Sequence, residues 1–330
     1  MAESTLSYEY VGLMNSLSYF LHGNASYTTL TAPQIVVLDD IVQRGYRQFL
    51  YPPFFQGMPE GYQWTFLKPV TSITTIPTYD TGTVEIATTT CTLSGAGAAW
   101  PTWIVDHGKL VVAGEEYSVV SRDSDTVLTI VAGTDVAAGE TDWTLEYDNN
   151  YDLPDDFGRL INGFTYAPGA QRCDVLADVG EAKIRSNRMI YVEHDAPRIG
   201  AIRPKAHTDH SVGQRWELLL YPSADAAYVL EYRYEAYDNK LTTLAPYPLG
   251  GMKHGHVLQL SCLAMADAMV NDNYGIHWEN FQRQLIAAID RDQKEQQVFF
   301  GNVGCKGEYG DYVEGITRNY TMTINGNRVY

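Results

Sequence analysis

The sequence predicts an α+β fold in which helices from both ends of the chain form one bundle around a central antiparallel β-region. Helical spacing of apolar residues is confined to residues 4–50 and 251–299, whereas the segment between them alternates with a period of two. Neither helical pair has a partner of its own size nearby in the sequence. Because each pair exposes an apolar stripe, we expect the two pairs to pack together.

The N-terminal helical pair is recognised from its start and stop signals. A first helix is predicted over residues 4–22, and Gly23 ends it. A second helix begins at Thr31 and stops before Pro52-Pro53. Gly45 lies inside this second helix, where glycine costs about 1 kcal/mol relative to alanine. A close contact with another helix would explain why glycine stands there.

The C-terminal helical pair contains one buried and one amphipathic helix. From Gly251 the first helix carries apolar residues around most of its circumference, with small residues between them, which is typical of a buried helix. Residues 271–275 break it, because Asn and Asp side chains compete for the backbone and glycine accepts left-handed geometry. The second helix starts near Ile276 and shows a single apolar stripe.

The central region is predicted to consist of short strands. Residues 80–147 combine strands with closely spaced glycine and aspartate turns, and they predict a small β-barrel or sandwich with Trp100 and Trp103 at one end of its core. The strands predicted inside this segment are 83–87, 109–112, 117–121, 126–131 and 142–147. Those predicted outside it are 62–67, 71–76, 163–166, 189–192, 216–221 and 228–237.

These patterns predict three parts. Residues 1–79 and 148–300 form a core of helices and sheet, and residues 80–147 form a β-domain inserted into it. Residues 301–330 are rich in glycine, tyrosine and polar residues and show no helical period. We therefore expect them to form an extended C-terminal arm.

Composition excludes several functional classes. The net charge is −17, and residues 80–147 alone contribute −9, so a surface that grips phosphates is not expected. No apolar run approaches the roughly 20 residues of a membrane span, and the first residues lack the pattern of a signal peptide. The four cysteines are far apart, which is typical of free thiols in a reducing compartment.

No catalytic, cofactor or metal site is predicted. His207 and His210 have a spacing that suits metal ligands, but no third ligand lies nearby, so a solvated turn is favoured. The adjacent carboxylates at 115–116 and 155–156 could be imagined as an acid/base pair. Such pairs face each other across a cleft, whereas neighbours in sequence point apart. The Gly-rich residues 94–97 lack the lysine and the strand-to-helix context of a phosphate loop.

Four stretches of the sequence carry a family likeness. Residues 40–53, 153–158, 231–234 and 250–272 resemble segments of the head-to-tail adaptor (connector, or neck) proteins of tailed bacteriophages, of the tail tubular protein A type. The resemblance covers about three quarters of the chain, and residues 80–147 match least. It carries no catalytic residues.

The resemblance implies a structural virion protein at the head–tail junction, made in the host cytoplasm. Such proteins form a homo-oligomeric ring, typically of twelve subunits, between the portal protein and the tail tube or nozzle protein. Double-stranded DNA passes through the ring without specific binding, and no membrane is involved. An acidic chain suits a channel to which DNA must not adhere.

The C-terminal arm is the predicted docking element for the portal. Tyrosine supplies a large contact area with a polar tip, and the alternating residues 320–324 could add a strand to the sheet edge of another chain. The arm could also fold back on its own subunit or on a ring neighbour. The predicted contact residues are Tyr309, Tyr312, Ile316, Tyr320, Val329 and Tyr330.

Two rival functions stay open at this point. One is an adaptor with cell-wall hydrolase activity. The other is a tail-associated protein that binds a glycan or receptor, with the β-domain as its binding module and Trp100 and Trp103 as the sugar platform. The position of the two tryptophans, exposed side by side or buried, discriminates the second rival.

Overall fold

The computed structural model describes residues 4, 6–55, 59, 61–167, 177–190, 193–206, 213–270, 272, 275–296, 322–324 and 327–329. Within these residues the fold is mixed α+β, with six α-helices and several antiparallel sheets, which confirms the predicted class. The chain divides into two compact units. The helical unit comprises Met1–Thr65 with Leu241–Tyr330, and the β unit comprises Phe66–Lys240.

The helices and strands are as follows. The helices are α1 (Tyr10–His22), α2 (Ala32–Leu50), α3 (Ile104–His107), α4 (Glu181–Ile190), α5 (Gly251–Val270) and α6 (Ile276–Gln296). The strands are β1 (Val70–Thr74), β2 (Thr83–Ala87), β3 (Thr90–Ser94), β4 (Gly108–Val112), β5 (Glu115–Tyr117), β6 (Val119–Arg122), β7 (Val127–Ile130), β8 (Val136–Glu140), β9 (Trp143–Tyr147), β10 (Asn150–Asp152), β11 (Phe157–Tyr166), β12 (Ala177–Asp178), β13 (Ile199–Pro204), β14 (Trp216–Tyr221), β15 (Val229–Ala236), β16 (Met322–Ile324) and β17 (Asn327–Val329).

In the helical unit, α5 packs against α2 and α6, and α1 packs against α2 and α5. The helix ends follow the sequence signals. Gly23 ends α1 in the left-handed conformation (φ 69°), and its N–H donates to the carbonyls of Ser18 and Tyr19. At the start of α2, the N–H of Thr31 donates to Oε1 of Gln34 at 3.0 Å. The helix α1 begins at Tyr10 and not at residue 4, because Glu9 is extended.

Gly45 lies at a close approach of α2 to α5, as its position in the sequence suggested. A Cβ atom added to Gly45 would lie 2.7 Å from Cα and 3.0 Å from N of Cys262. Contacts this short with backbone atoms cannot be relieved by a side-chain rotation. The two helix backbones can therefore approach to this distance only with glycine at this position.

The described residues of the β unit form four sheets. Their strand orders are β1-β15-β11, β10-β14-β13-β12, β6-β7-β3-β2-β8 and β5-β4-β9. All pairings in them are antiparallel except that of β12 with β13. In the part of the chain that the structure describes, no sheet closes into a barrel.

The described part of the β unit contains two large hydrophobic clusters and a small one around Ile184. One is built from residues of the predicted insertion, including Trp100, Trp143 and Leu145, which are all buried. The other gathers residues on the later strands, including Phe157 and Tyr234. Tyr79 and Leu145 form an isolated antiparallel bridge, so the two ends of the predicted insertion lie side by side. Its boundaries as a domain stay a prediction.

Two of the predicted strands are wrong. Residues 62–67 contain a short 3₁₀ turn, Thr65–Leu67. Trp64 and Leu67 are three positions apart, and both are fully buried. That spacing fits a helical turn and not a strand. Residues 189–192 were predicted as a strand, but Met189 and Ile190 end α4 and are exposed. The predicted strand 117–121 is divided between β5 and β6, and the sequence patterns did not predict β3, β8, β10, β12 and β13.

We expect that residues 80–144 of the predicted insertion can be removed without unfolding the rest of the chain. Tyr147 belongs to the cluster of the later strands, so it must be retained. Replacing residues 80–144 by a short Gly/Ser bridge should leave the remaining chain soluble, because bridged antiparallel residues lie only about 5 Å apart. Size-exclusion chromatography and circular dichroism check this. An excision that also removes Tyr147 should be less stable, and insolubility of both variants would contradict the prediction.

Candidate interaction site

Two of the four segments that carry the family likeness, residues 40–53 and 250–272, contact each other in the helical unit. Residues 40–53 lie mostly on α2 and residues 250–272 mostly on α5. Besides the approach at Gly45, the Ser261 hydroxyl donates to the Gly45 carbonyl at 2.8 Å and is fully buried. The Cys262 thiol is also buried, and burial raises its pKa to about 12. This thiol is therefore a packing group, since a reactive cysteine needs a lowered pKa.

The other two segments contact each other in the β unit. Residues 153–158 lead into β11, and residues 231–234 lie on β15. The Tyr234 hydroxyl donates to Asp156 Oδ1 at 3.0 Å, and the rings of Phe157 and Tyr234 stack with centroids 5.6 Å apart. Burial, together with the hydrogen bond to Asp156, raises the pKa of Tyr234 to about 12. The Tyr234 hydroxyl is therefore neutral, and its hydrogen bond holds residues 153–158 against β15.

A buried carboxylate ties α6 to the end of the segment that precedes the β unit. Asp292 is 2% exposed and accepts hydrogen bonds from the hydroxyls of Tyr62 and Thr65 and from the Thr65 N–H at 3.0 Å. Burial alone would raise the pKa of Asp292, but the donors from Thr65 and Tyr62 outweigh it and the pKa is lowered. Burial and the carboxylate raise the pKa of Tyr62. The site is thus a neutral tyrosine beside an ionised aspartate.

The carboxylates that sequence reasoning considered for acid/base chemistry have separate partners. Glu116 pairs with Lys109 at 3.3 Å, whereas Glu115 accepts a hydrogen bond from Tyr117 at 3.4 Å. Asp155 pairs with Arg215 at 2.9 Å, whereas Asp156 accepts from Tyr234. Neither pair is arranged as two carboxylates facing a common space.

Metal-ligating side chains do not converge in the described part of the chain. Among those residues there is no group of three or more His, Cys, Asp or Glu side chains that could hold a metal ion. His207 and His210, which the sequence singled out, lie outside the described residues.

Trp100 and Trp103 do not form an exposed platform. Trp100 is 1% exposed and packs edge-on against Trp143 with ring centroids 5.4 Å apart. Trp103 is half-buried, and its ring lies edge-on to that of Tyr147 at 5.2 Å. The feature that would have supported a sugar-binding surface is therefore part of the packing of the β unit.

The predicted portal-docking residues fall almost entirely outside the described residues. This holds for Tyr309, Tyr312, Ile316, Tyr320 and Tyr330. Val329 is the last residue of β17, which pairs with β16 in an antiparallel hairpin. Their role in docking stays a prediction.

Sequence reasoning missed an exposed apolar surface in the helical unit. The ring of Phe20, near the end of α1, contacts that of His277, near the start of α6, with centroids 5.0 Å apart. The helix α5 ends just before α6 begins, so its last residues lie close to the same place. The exposed apolar side chains on these three helix ends are those of Tyr19, Phe20, Met269, Val270 and Ile276. Exposed apolar residues on neighbouring helix ends are typical of a contact surface.

The helices of the described residues include none that is both long and apolar enough to cross a membrane. In comparisons with known proteins, no protein-family model and no curated protein matches this sequence.

Proposed function

We propose that the chain is a structural virion protein, a head-to-tail adaptor that forms a ring between the portal and the tail. The observation that carries this proposal is the pairing of the four segments that resemble adaptor proteins. Two of them pack together at Gly45, and the other two pack together at Phe157 and Tyr234. A core shared with the adaptor proteins would show this pairing, and for this reason it supports the proposal.

In this proposal the helices from both chain ends form one bundle, which packs side by side with bundles of neighbouring copies. The exposed apolar side chains near Phe20 and Ile276 suit such a contact. The β unit, with its inserted β-domain, would meet the tail protein. The arm would reach the portal. A ring of about twelve copies is what the family resemblance implies.

The charges of the β unit suit a channel that DNA crosses without adhering. The inserted segment is strongly acidic, and several arginines are engaged by carboxylates. Arg203 Nε lies 2.6 Å from Glu217, and Arg159 Nε lies 2.7 Å from Glu235. Cations held in this way are less available to release counterions from DNA phosphates.

Accordingly, the purified protein should not retain duplex DNA at physiological salt. Electrophoretic mobility shift of a random-sequence duplex at several salt concentrations measures this. A retained complex whose affinity falls steeply with salt would show a basic binding surface and contradict the proposed acidic channel.

Binding to portal rings tests the proposed function. The full chain should co-sediment with portal rings of the same phage, whereas a chain lacking residues 305–330 should bind at least about tenfold more weakly, a loss of about 1.4 kcal/mol. Circular dichroism of the shortened chain controls for folding. If neither chain binds the portal, the adaptor role is wrong. If both bind equally, the arm is not the docking element.

A further inference from the structure

Strands at the ends of sheets are usually protected from pairing with other chains by charges, bulges or a covering segment. The described sheets end in ten such strands, and eight are protected. The protected strands are β5 (Glu115, Glu116), β6 (a bulge and Arg122), β8 (a register shift and Glu140), β9 (covered by Tyr79), β10 (Asp152), β11 (two register shifts and Arg159), β12 (Asp178) and β17 (Arg328). The other two, β1 and β16, carry no charge and no register shift.

The strand β1, Val-Thr-Ser-Ile-Thr, is an open edge. Two backbone hydrogen bonds show which residues of β1 face β15. The Tyr234 N–H donates to the Pro69 carbonyl at 3.2 Å, and the Thr75 N–H donates to the Tyr228 carbonyl at 2.8 Å. Residues 69, 71, 73 and 75 therefore direct their backbone groups to β15. The three residues between them direct theirs to the open edge. Their side chains are exposed, that of Val70 by 62%.

The strand β16 offers the complementary edge. It pairs with β17 so that Ile324 faces Asn327, and the two intervening residues are Asn325-Gly326, the pair that most favours a tight hairpin turn. Residues next to such a turn exchange hydrogen bonds, so Thr323 directs its N–H and carbonyl away from β17. A two-stranded hairpin is marginally stable alone and gains from a further strand.

We propose that β16 of one copy pairs with β1 of a neighbouring copy. The two are the unprotected edges among the described strands, and pairing them satisfies the outward backbone groups of both. The 25 residues between α6 and β16 can span up to about 80 Å. Such a contact joins different surfaces of identical chains, which closes into a ring when the rotation allows.

This inference rests on the proposed ring of copies and names the strands that join it. It assigns the end of the arm to a ring neighbour. The preceding predicted residues, Tyr309, Tyr312 and Ile316, remain for the portal.

The test uses two variants, each of which removes one side of the contact. Ser72→Pro removes an outward N–H of β1 without removing a bond to β15, and Ser72→Ala is its matched control. A chain that ends at residue 321 lacks the hairpin. Sedimentation velocity measures self-association of each protein, both without and with portal rings. Self-association of Ser72→Pro and of the shortened chain should be at least about tenfold weaker than that of the full chain and of Ser72→Ala.

Mixing the two variants identifies the direction of the contact. The shortened chain keeps an intact β1, and Ser72→Pro keeps an intact hairpin, so an equimolar mixture should form pairs but no larger rings. Circular dichroism and thermal unfolding of each variant control for folding.

Each failure has its own meaning. Full assembly of the shortened chain would contradict the strand contact while leaving the adaptor role intact. Loss of assembly in Ser72→Ala would show that the side chain and not the edge matters, and would also contradict it. A full-length chain that stays monomeric alone and on portal rings would overturn both the contact and the proposed function.

Discussion

Gly45→Ala is expected to lower the free energy of unfolding of the helical unit by about 2 kcal/mol, although alanine is the better helix former. The added Cβ would meet Cα and N of Cys262 at 2.7 and 3.0 Å, so α2 and α5 must move apart. The gain in helix propensity, about 1 kcal/mol, offsets only part of this cost. Chemical denaturation followed by circular dichroism at 222 nm measures the change.

Gly12→Ala is the matched control, because Gly12 also lies inside a helix. The nearest atom to its added Cβ is Cγ of Glu9 at 3.8 Å, an ordinary contact. This variant should be as stable as the original chain or more stable by up to about 1 kcal/mol. Equal effects of the two substitutions would show that the contact at Gly45 does not hold the helices together. Adding Cys262→Ala to Gly45→Ala should restore little, since the closest atom belongs to the backbone.

Asp292→Asn is expected to destabilise the helical unit by about 3 kcal/mol at neutral pH. Three donors converge on the two carboxylate oxygens, and an amide group would turn its own N–H donors toward at least one of them. Asp290→Asn, an exposed change on the same helix, should have an effect within about 0.5 kcal/mol. Denaturant unfolding of the three proteins measures the difference.

The effect of Asp292→Asn should depend on pH in one direction. The pKa of Asp292 is lowered in the folded state from 3.8, so its contribution is present above that value and is lost as the pH falls through the lower, folded pKa. The difference between the original chain and the variant should therefore be constant near neutrality and shrink below about pH 4. A difference that grows on acidification would mean that the buried carboxylate is protonated at neutral pH.

Local signals in the sequence were sufficient for the contact at Gly45 and for most ends of the long helices, but not for the start of α1. The helix ends at Gly23, at Thr31 and after α5 depend on the chemistry of a few adjacent residues. That chemistry acts in the same way wherever the segment lies in the fold. The strand β3 was missed for the complementary reason. It follows a hairpin loop at Thr88–Thr89 in which Thr88 has a positive φ (55°), so no glycine or asparagine marks the turn.

The helix α4 was missed because its burial is too slight to create a pattern. Of its ten residues only Ile184 is buried, and the exposed Met189 and Ile190 suggested a strand. The site at Asp292 could not have been predicted at all, since its donors precede it by more than 220 residues. The hairpin of β16 and β17 had a readable signal in Asn325-Gly326, and this signal was overlooked.

Electron microscopy of the full chain mixed with its portal tests the proposed adaptor role most directly. Class averages should show a second ring stacked coaxially on the portal, with an open channel and as many copies of this chain as close one ring, typically twelve. Portal rings without added density, together with monomers of this chain in the background, would contradict the adaptor role.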